Sequence, residues 1–235
     1  MLPQIDIAGQ QKLIDARVLI IGMGGLGSPA ALYLTSAGVG HLTLVDHDDV
    51  EISNLQRQIL HTEKDIGKAK VESAKNNLLQ HNPETIIELI DKKLDIESLN
   101  QQVSQANVVI DATDNFESRY AINKACIVNR TPLVSGAAIR FDGQITVFTN
   151  SDDSPCYSCL YPNTENTDDE TCSGNGVLAP IVGVIGSMQA LECIKLICGI
   201  GVSLEGKVLL FDGLNAEWRT VKFKKDPQCP ACSAI

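Results

Sequence analysis

Residues 18–40 read VLIIGMGGLGSPAALYLTSAGVG. Val18–Ile21 is a continuous run of β-favouring apolar residues, the glycines after it make a tight turn, and a helix starts near Leu26–Ser28. The spacing is Gly22-x-Gly24-Gly25-x-Gly27. Glycine allows positive φ and lets a phosphate approach the backbone closely. A helix N-terminus adds free N–H groups and a partial positive charge. Leu42–Val45 is a second strand ending at Asp46, a carboxylate able to accept hydrogen bonds from ribose hydroxyls. This strand–helix–strand layout is that of a dinucleotide-binding fold and predicts a nucleotide at the loop. The alternative is a tight turn between packed elements with no ligand. The motif alone does not choose NAD over ATP.

Downstream, strand and helix patterns keep alternating. A helix covers Lys68–His81, with Val71, Ala74, Leu78 and Leu79 on one side. ETIIELID (84–91) is a third strand, and ANVVIDAT (106–113) is a fourth, ending at Asp111. SRYAINKACIVNR (118–130) reads as a helix and PLVSGAA (132–138) as a strand. GQITVFT (143–149) and KVLLFDG (207–213) are strand-like, and a helix runs from about Ile181 to Cys198. Residues 150–176 form a polar loop, and a loop of that length is usually functional or mobile. The expected fold is therefore α/β: a Rossmann-like doubly wound parallel sheet, extended by mixed, antiparallel strands.

The 235 residues, 44% hydrophobic and 20% charged, suffice for a substantial core. A net charge of −10 favours a soluble protein and disfavours nucleic-acid binding, since a phosphate backbone would be repelled. No cationic start precedes an apolar run, so no signal peptide is expected. The longest apolar stretch, Val177–Val202, contains Gln189, Glu192 and Lys195, which fits a buried helix better than a membrane span. The expected location is the cytoplasm, with no membrane partner.

The segment DHDDVEISNLQRQILHTEKDIGKAK (46–70) brings Asn54, Arg57, Gln58 and Lys70 close in sequence. A hydride-transfer site needs a flat nicotinamide pocket and an acid–base partner. Two cations and two amides instead suit a triphosphate whose charge must be neutralised as pyrophosphate leaves. Each cation alone would read as a solvated surface charge. Asp114 and Asn115 follow the fourth strand, at the sheet end where ligands gather. Asp114 is placed to ligate Mg²⁺, a hard ion that prefers oxygen, although an ordinary Asp–Asn turn explains the pair equally well on local grounds.

Of eight cysteines, four form the pairs Cys156-x-x-Cys159 and Cys229-x-x-Cys232. Four thiolates suit tetrahedral Zn²⁺, and a closed four-thiolate site is structural because it leaves no room for a catalytic water. The two pairs lie too far apart for a compact zinc ribbon, so the metal would tie the C-terminal tail to the middle loop. Redox use is the alternative. Cys126, Cys193 and Cys198 fall in apolar helical contexts and read as packed core residues.

The ordered set GMGGLGSPAALYL, SNLQRQ, GKAKVESA, DATDN, LVSGAAIRFDGQITVF, CYSCLYP, GVLAPIVGVIGSMQALECIKL and CPAC resembles the ThiF/MoeB/HesA family over nearly the whole chain. This is the bacterial branch related to ubiquitin-activating enzymes. The resemblance implies ATP-dependent adenylation of the C-terminal glycine of a small ubiquitin-like sulfur carrier ending in Gly-Gly, with release of pyrophosphate. It further implies one domain over residues 1–235, with a nucleotide-binding half (1–135) and a carrier-binding, zinc-bearing half (136–235). By motif, Gly22, Gly24, Gly25 and Gly27 would contact phosphates, and Asp46 would bind ribose. Ser53, Asn54, Leu55, Gln56, Arg57 and Gln58 would line the ATP site. Arg57 and Lys70 would stabilise phosphate charge, and Asp114, with Asn115 beside it, would hold Mg²⁺. All four paired cysteines match the family's zinc ligands. A homodimer and a sulfur donor such as a cysteine desulfurase are also implied.

Two features bear on chemistry. Cys172 lies in DDETCSGNGVLAP, before the expected helix, whose N-terminus would lower a thiol pKa, while Asp168, Asp169 and Glu170 oppose that. Chemistry alone leaves it inert or nucleophilic. The resemblance implies a transfer cysteine as in ThiF-like members, whereas adenylation by MoeB-like members does not need it. Family members also begin with an arm rich in RYxRQ whose Arg reaches the partner subunit, while the first Arg in this sequence is Arg17. ThiF-like stretches point to thiamine thiazole synthesis and MoeB-like stretches equally to molybdopterin synthesis. The rival readings are an NAD-dependent oxidoreductase and a zinc-stabilised carrier-binding module without catalysis.

Overall fold

The computed structural model describes residues 2–162 and 176–233. Helix α1 (Asp6–Asp15) precedes β1 (Arg17–Ile21), α2 (Gly27–Ala37), β2 (His41–Val45), α3 (Lys70–His81), β3 (Ile86–Ile90), α4 (Ile96–Gln105), β4 (Val108–Asp111) and α5 (Phe116–Asn129). Then come β5 (Leu133–Ile139), β6 (Asp142–Phe148), the single turn α6 (Tyr157–Leu160), the long helix α7 (Ala179–Cys198), β7 (Lys207–Asp212) and β8 (Glu217–Lys222). One eight-stranded sheet runs in the order β3-β2-β1-β4-β5-β6-β7-β8. The pairs from β3 to β5 are parallel, and those from β5 to β8 are antiparallel. The expected doubly wound sheet with an antiparallel extension is thus observed, and β5 is the strand on which it changes direction.

The period of two along each strand divides the core between two faces. Val18 and Ile20 of β1, Val108 and Ile110 of β4, and Val134 of β5 face one cluster with Leu34 of α2 and Ile185 of α7. Leu19, Val109 and Leu133 face the other, with Leu99 of α4, Ile122 of α5 and Tyr157 of α6. Strands covered on both faces read as continuous apolar runs, which is why β1 and β4 were recognisable in the sequence.

Helix α3 begins at Lys70 rather than Lys68 and buries Val71, Ala74 and Leu78. Among the described residues, α7 is the one helix long and apolar enough to cross a membrane. Half of that stretch is buried, and the helix packs against α2, β5 and β6. Cys126, Cys193 and Cys198 are core residues as expected, and burial pushes all three thiols up. The sequence reading did not anticipate α1, α4 or β8. The expected polar loop from residue 150 instead contains α6 between Cys156 and Tyr161. Cys172 lies outside the described residues.

The turn between β1 and α2 depends on two glycines. Gly22 has φ +97°, and a Cβ there would lie 2.6 Å from the Ala112 carbonyl oxygen. A Cβ on Gly27 would lie 1.9 Å from the Gly22 carbonyl oxygen, so only glycine lets the helix start so close to the strand end. Gly27→Ala is expected to destabilise the protein by about 1–3 kcal/mol through overpacking. Chemical denaturation checks this, with Gly67→Ser as the control because a Cβ at Gly67 would have no neighbour within 4 Å; the control carries only the strain of its own positive φ.

Candidate functional site

The C-terminal ends of β1, β2 and β4 open into a cleft of about 980 Å³. This is the switch point of the sheet, where β1 leads to β2 on one side and β4 pairs on the other. The volume is that of a cofactor or nucleotide pocket. Gly22, Gly24, Gly25, Asp46, Arg57, Gln58, Lys70, Asp114 and Asn115 all line it.

The glycine loop is held from below. Asp46 follows β2, where one carboxylate oxygen accepts the Met23 N–H at 2.6 Å and the other accepts the Asp48 N–H at 3.0 Å. The N–H groups of Gly24, Gly25 and Leu26 have no hydrogen-bond partner among the described residues. No side chain caps the N-terminus of α2. A loop with unpaired N–H groups leading into an uncapped helix is a ready anion site.

The cations enter from the segment after β2. Lys70 opens α3, is 5% exposed and donates to Asp48 Oδ2 at 2.7 Å. Burial alone would raise the Asp48 pKa, but the Lys70 hydrogen bond and charge outweigh it and hold the carboxyl below its ordinary value. Arg57 is steadied by Asn54 Oδ1 at 2.9 Å and by the Ser53 carbonyl at 3.4 Å. Gln58 is buried beside Gly24, and its Oε1 has no partner among the described residues.

Across the cleft, β4 ends in a braced turn. Asp111 is 1% exposed and accepts from Thr113 N and Oγ1 at 3.1 and 2.7 Å, and from Ser135 Oγ at 2.9 Å. Arg119 donates to the Thr113 carbonyl at 2.8 Å and lies over the Phe116 ring. Thr113 is thereby gripped from both sides, and Asp114 is presented, exposed, at the cleft. Asn115 caps α5 through Oδ1 and donates to Asp114 Oδ1 at 3.3 Å. Asp114 keeps its other oxygen for a hard cation, so the residue fits Mg²⁺.

The four paired cysteines converge at the far end of α5. Their sulfurs lie within 4.8 Å of one another, with contacts of 3.9 Å (Cys156–Cys159), 3.7 Å (Cys156–Cys229) and 3.5 Å (Cys159–Cys232). Tetrahedral zinc with Zn–S bonds of about 2.3 Å requires sulfurs about 3.8 Å apart. The donor set and its spacing fit zinc. The sulfurs are packed against Ile127 and Ala231, a closed setting suited to a structural ion.

Arg57 and Gln58 line the cleft, whereas Ser53, Asn54, Leu55 and Gln56 are not among its lining residues; Ser53 and Asn54, in a 3-10 turn over Ile52–Asn54, hold the Arg57 guanidinium. Gly27 shapes the turn without lining it. Sequence reasoning missed Asp48, the ion-pair partner of Lys70, and the lining residues Lys92, Lys93 and Leu94. DKKLD after the third strand was a usable signal, because strand ends on this side of the sheet face the ligand. His61, buried behind the loop, was also missed.

Comparison with known proteins identifies the family. The model of the ThiF family matches residues 1–231. The chain is 46% identical over 232 residues to the sulfur carrier protein ThiS adenylyltransferase of Escherichia coli, covering 99% of this chain and 92% of that protein. It is also 46% identical over 232 residues to the molybdopterin-synthase adenylyltransferase of the same organism, covering 99% and 93%. Among solved structures, E. coli MccB with ATP superposes with a TM-score of 0.83 at 27% identity, covering 95% of this chain and 68% of MccB.

Proposed function

The chain belongs to the ThiF family, and from that premise we propose that it adenylates the C-terminal glycine of a small ubiquitin-like sulfur carrier ending in Gly-Gly, in the cytoplasm. The observation that carries the reading is one cleft holding unpaired loop N–H groups, a ribose-placed carboxylate and the cations Arg57 and Lys70. A carboxylate oxygen of the carrier attacks the α-phosphorus of ATP. The bond from that phosphorus to the bridging oxygen breaks, and pyrophosphate leaves with its electron pair. Two anions must meet, so charge neutralisation and positioning matter more than a strong base.

In this reading the glycine-loop N–H groups and Lys70 bind phosphate oxygens, Arg57 neutralises the pyrophosphate, and Asp46 fixes the ribose. Mg²⁺, held by Asp114, would supply further charge compensation at the phosphates. Zinc on Cys156, Cys159, Cys229 and Cys232 would be structural. Residues 136–235 would carry the carrier-binding surface. Cys172 would serve a later sulfur-transfer step, with a desulfurase-type donor, and the working unit would be a homodimer. Identity is equal to the two E. coli enzymes, so the carrier class is left to experiment. ATP–pyrophosphate exchange with Mg²⁺, and with thiamine-type and molybdopterin-type carriers in separate reactions, tests the proposal. Exchange dependent on one carrier establishes both the reaction and the pathway. Carrier binding without exchange by folded, zinc-loaded protein contradicts the enzyme reading and favours a binding module.

A further inference from the structure

His61 lies behind the cleft, 5% exposed, and is bonded at both ring nitrogens. Nε2 lies 3.0 Å from the Met23 carbonyl oxygen, and Nδ1 lies 2.8 Å from Ser73 Oγ. A carbonyl only accepts, so Nε2 carries a proton, while Nδ1 faces the Ser73 hydroxyl, which can donate or accept. The buried setting favours the neutral ring. Burial, the largest influence, lowers its pKa, and nearby Lys70 acts the same way, while the Met23 bond and the carboxylates of Asp46 and Asp65 act oppositely.

The two contacts join separate parts of the site. Met23 belongs to the glycine loop. Ser73 lies in α3, one turn beyond Lys70. His61 itself follows the Arg57–Gln58 pair, and its N–H donates to the Gln58 carbonyl at 3.0 Å.

The Met23 carbonyl and the Gly24 N–H belong to one peptide unit, and a trans peptide points these groups in opposite directions. Held at its carbonyl by His61 on the buried side, this unit turns the Gly24 N–H outward. Gly24 lines the cleft, and its N–H has no partner among the described residues. A peptide preceding glycine flips easily, because glycine tolerates both signs of φ. Flipped, it would present a carbonyl oxygen to the anion.

We propose that His61 is a positioning residue for the nucleotide: it fixes the Met23–Gly24 peptide with its N–H toward the phosphates and ties that peptide to the helix bearing Lys70. The inference rests on the cleft being the ATP site, and its test separates the two claims. Binding of a non-hydrolysable ATP analogue is measured by calorimetry on wild type, His61→Leu and His61→Gln, with thermal stability alongside. His61→Leu is expected to weaken binding by about tenfold or more. His61→Gln, which returns an amide N–H donor, is expected to bind within about threefold of wild type. A leucine variant that binds like wild type, or a glutamine variant as weak as the leucine one, overturns the proposal. Nitrogen-15 spectra of wild type decide the matter even if the variants fail to fold. They should show a neutral His61 with the proton on Nε2, and a Gly24 amide that shifts on titration with pyrophosphate. An Nε2 without a proton, or an unmoved Gly24 amide, refutes it. Wild-type protein that binds no ATP analogue refutes the ATP reading itself, and this role with it.

Discussion

Lys70→Met is expected to lower ATP–pyrophosphate exchange by about 10²–10³-fold, the usual effect of removing one preorganised charge-stabilising donor. The Lys70 stem is packed at the start of α3, and methionine keeps much of its volume, so the fold should survive. The partner left behind is Asp48, whose side chain is 56% exposed and stays hydrated without the ion pair. Two things change together at the phosphate site: a cation is lost, and an uncompensated carboxylate gains weight against a polyanion. The Asp48 pKa should rise, because Lys70 is what holds it down against burial. Initial exchange rates beside a melting curve check this. Exchange within about threefold of wild type would remove Lys70 from the phosphate-binding set.

Cys229→Ser is expected to abolish zinc retention and to lower stability sharply. The metal would join the tail to a loop far back in the chain through Cys156 and Cys159. Treated as a cross-link, such a clip contributes about 4 kcal/mol through the entropy of the unfolded chain. For a domain of this size that corresponds to about 8–16 °C in melting temperature. Zinc analysis by mass spectrometry and a melting curve test both parts. A variant that keeps stoichiometric zinc would contradict the four-sulfur site. Chelation of wild type should produce the same stability loss, and exchange activity should fall only to the extent that the tail unfolds.

What was legible in the sequence follows from how local its causes are. The glycine turn was readable because Gly22 and Gly27 answer to steric demands a few residues away. The buried strands were readable because both faces are apolar. The cysteine pairs carried a metal spacing. Helix α4, IESLNQQVSQ, carries a clear helical period in Ile96, Leu99 and Val103 behind an Asp95 cap, so it was readable and was passed over. Helix α1 buries only Gly9 and Leu13. Strand β8 is exposed along its whole length, and packing leaves no alternation there to read. Within the site, Arg57 and Lys70 stood out as cations following a ribose-type carboxylate. Asp48 and His61 did not, because their meaning lies in Lys70, Ser73 and Met23, partners that only the folded chain brings to them. The run from Ser53 to Gln56 meets the cleft through Arg57, which Ser53 and Asn54 hold, a link that the motif alone does not spell out.

The most direct measurement is the intact mass of the carrier after incubation with this protein, ATP, Mg²⁺ and inorganic pyrophosphatase. The account predicts a carrier heavier by one adenylyl group. The group should be released by hydroxylamine and absent from a carrier lacking its terminal glycine. A carrier of unchanged mass, with folded, zinc-loaded protein that binds both ATP and carrier, would contradict it.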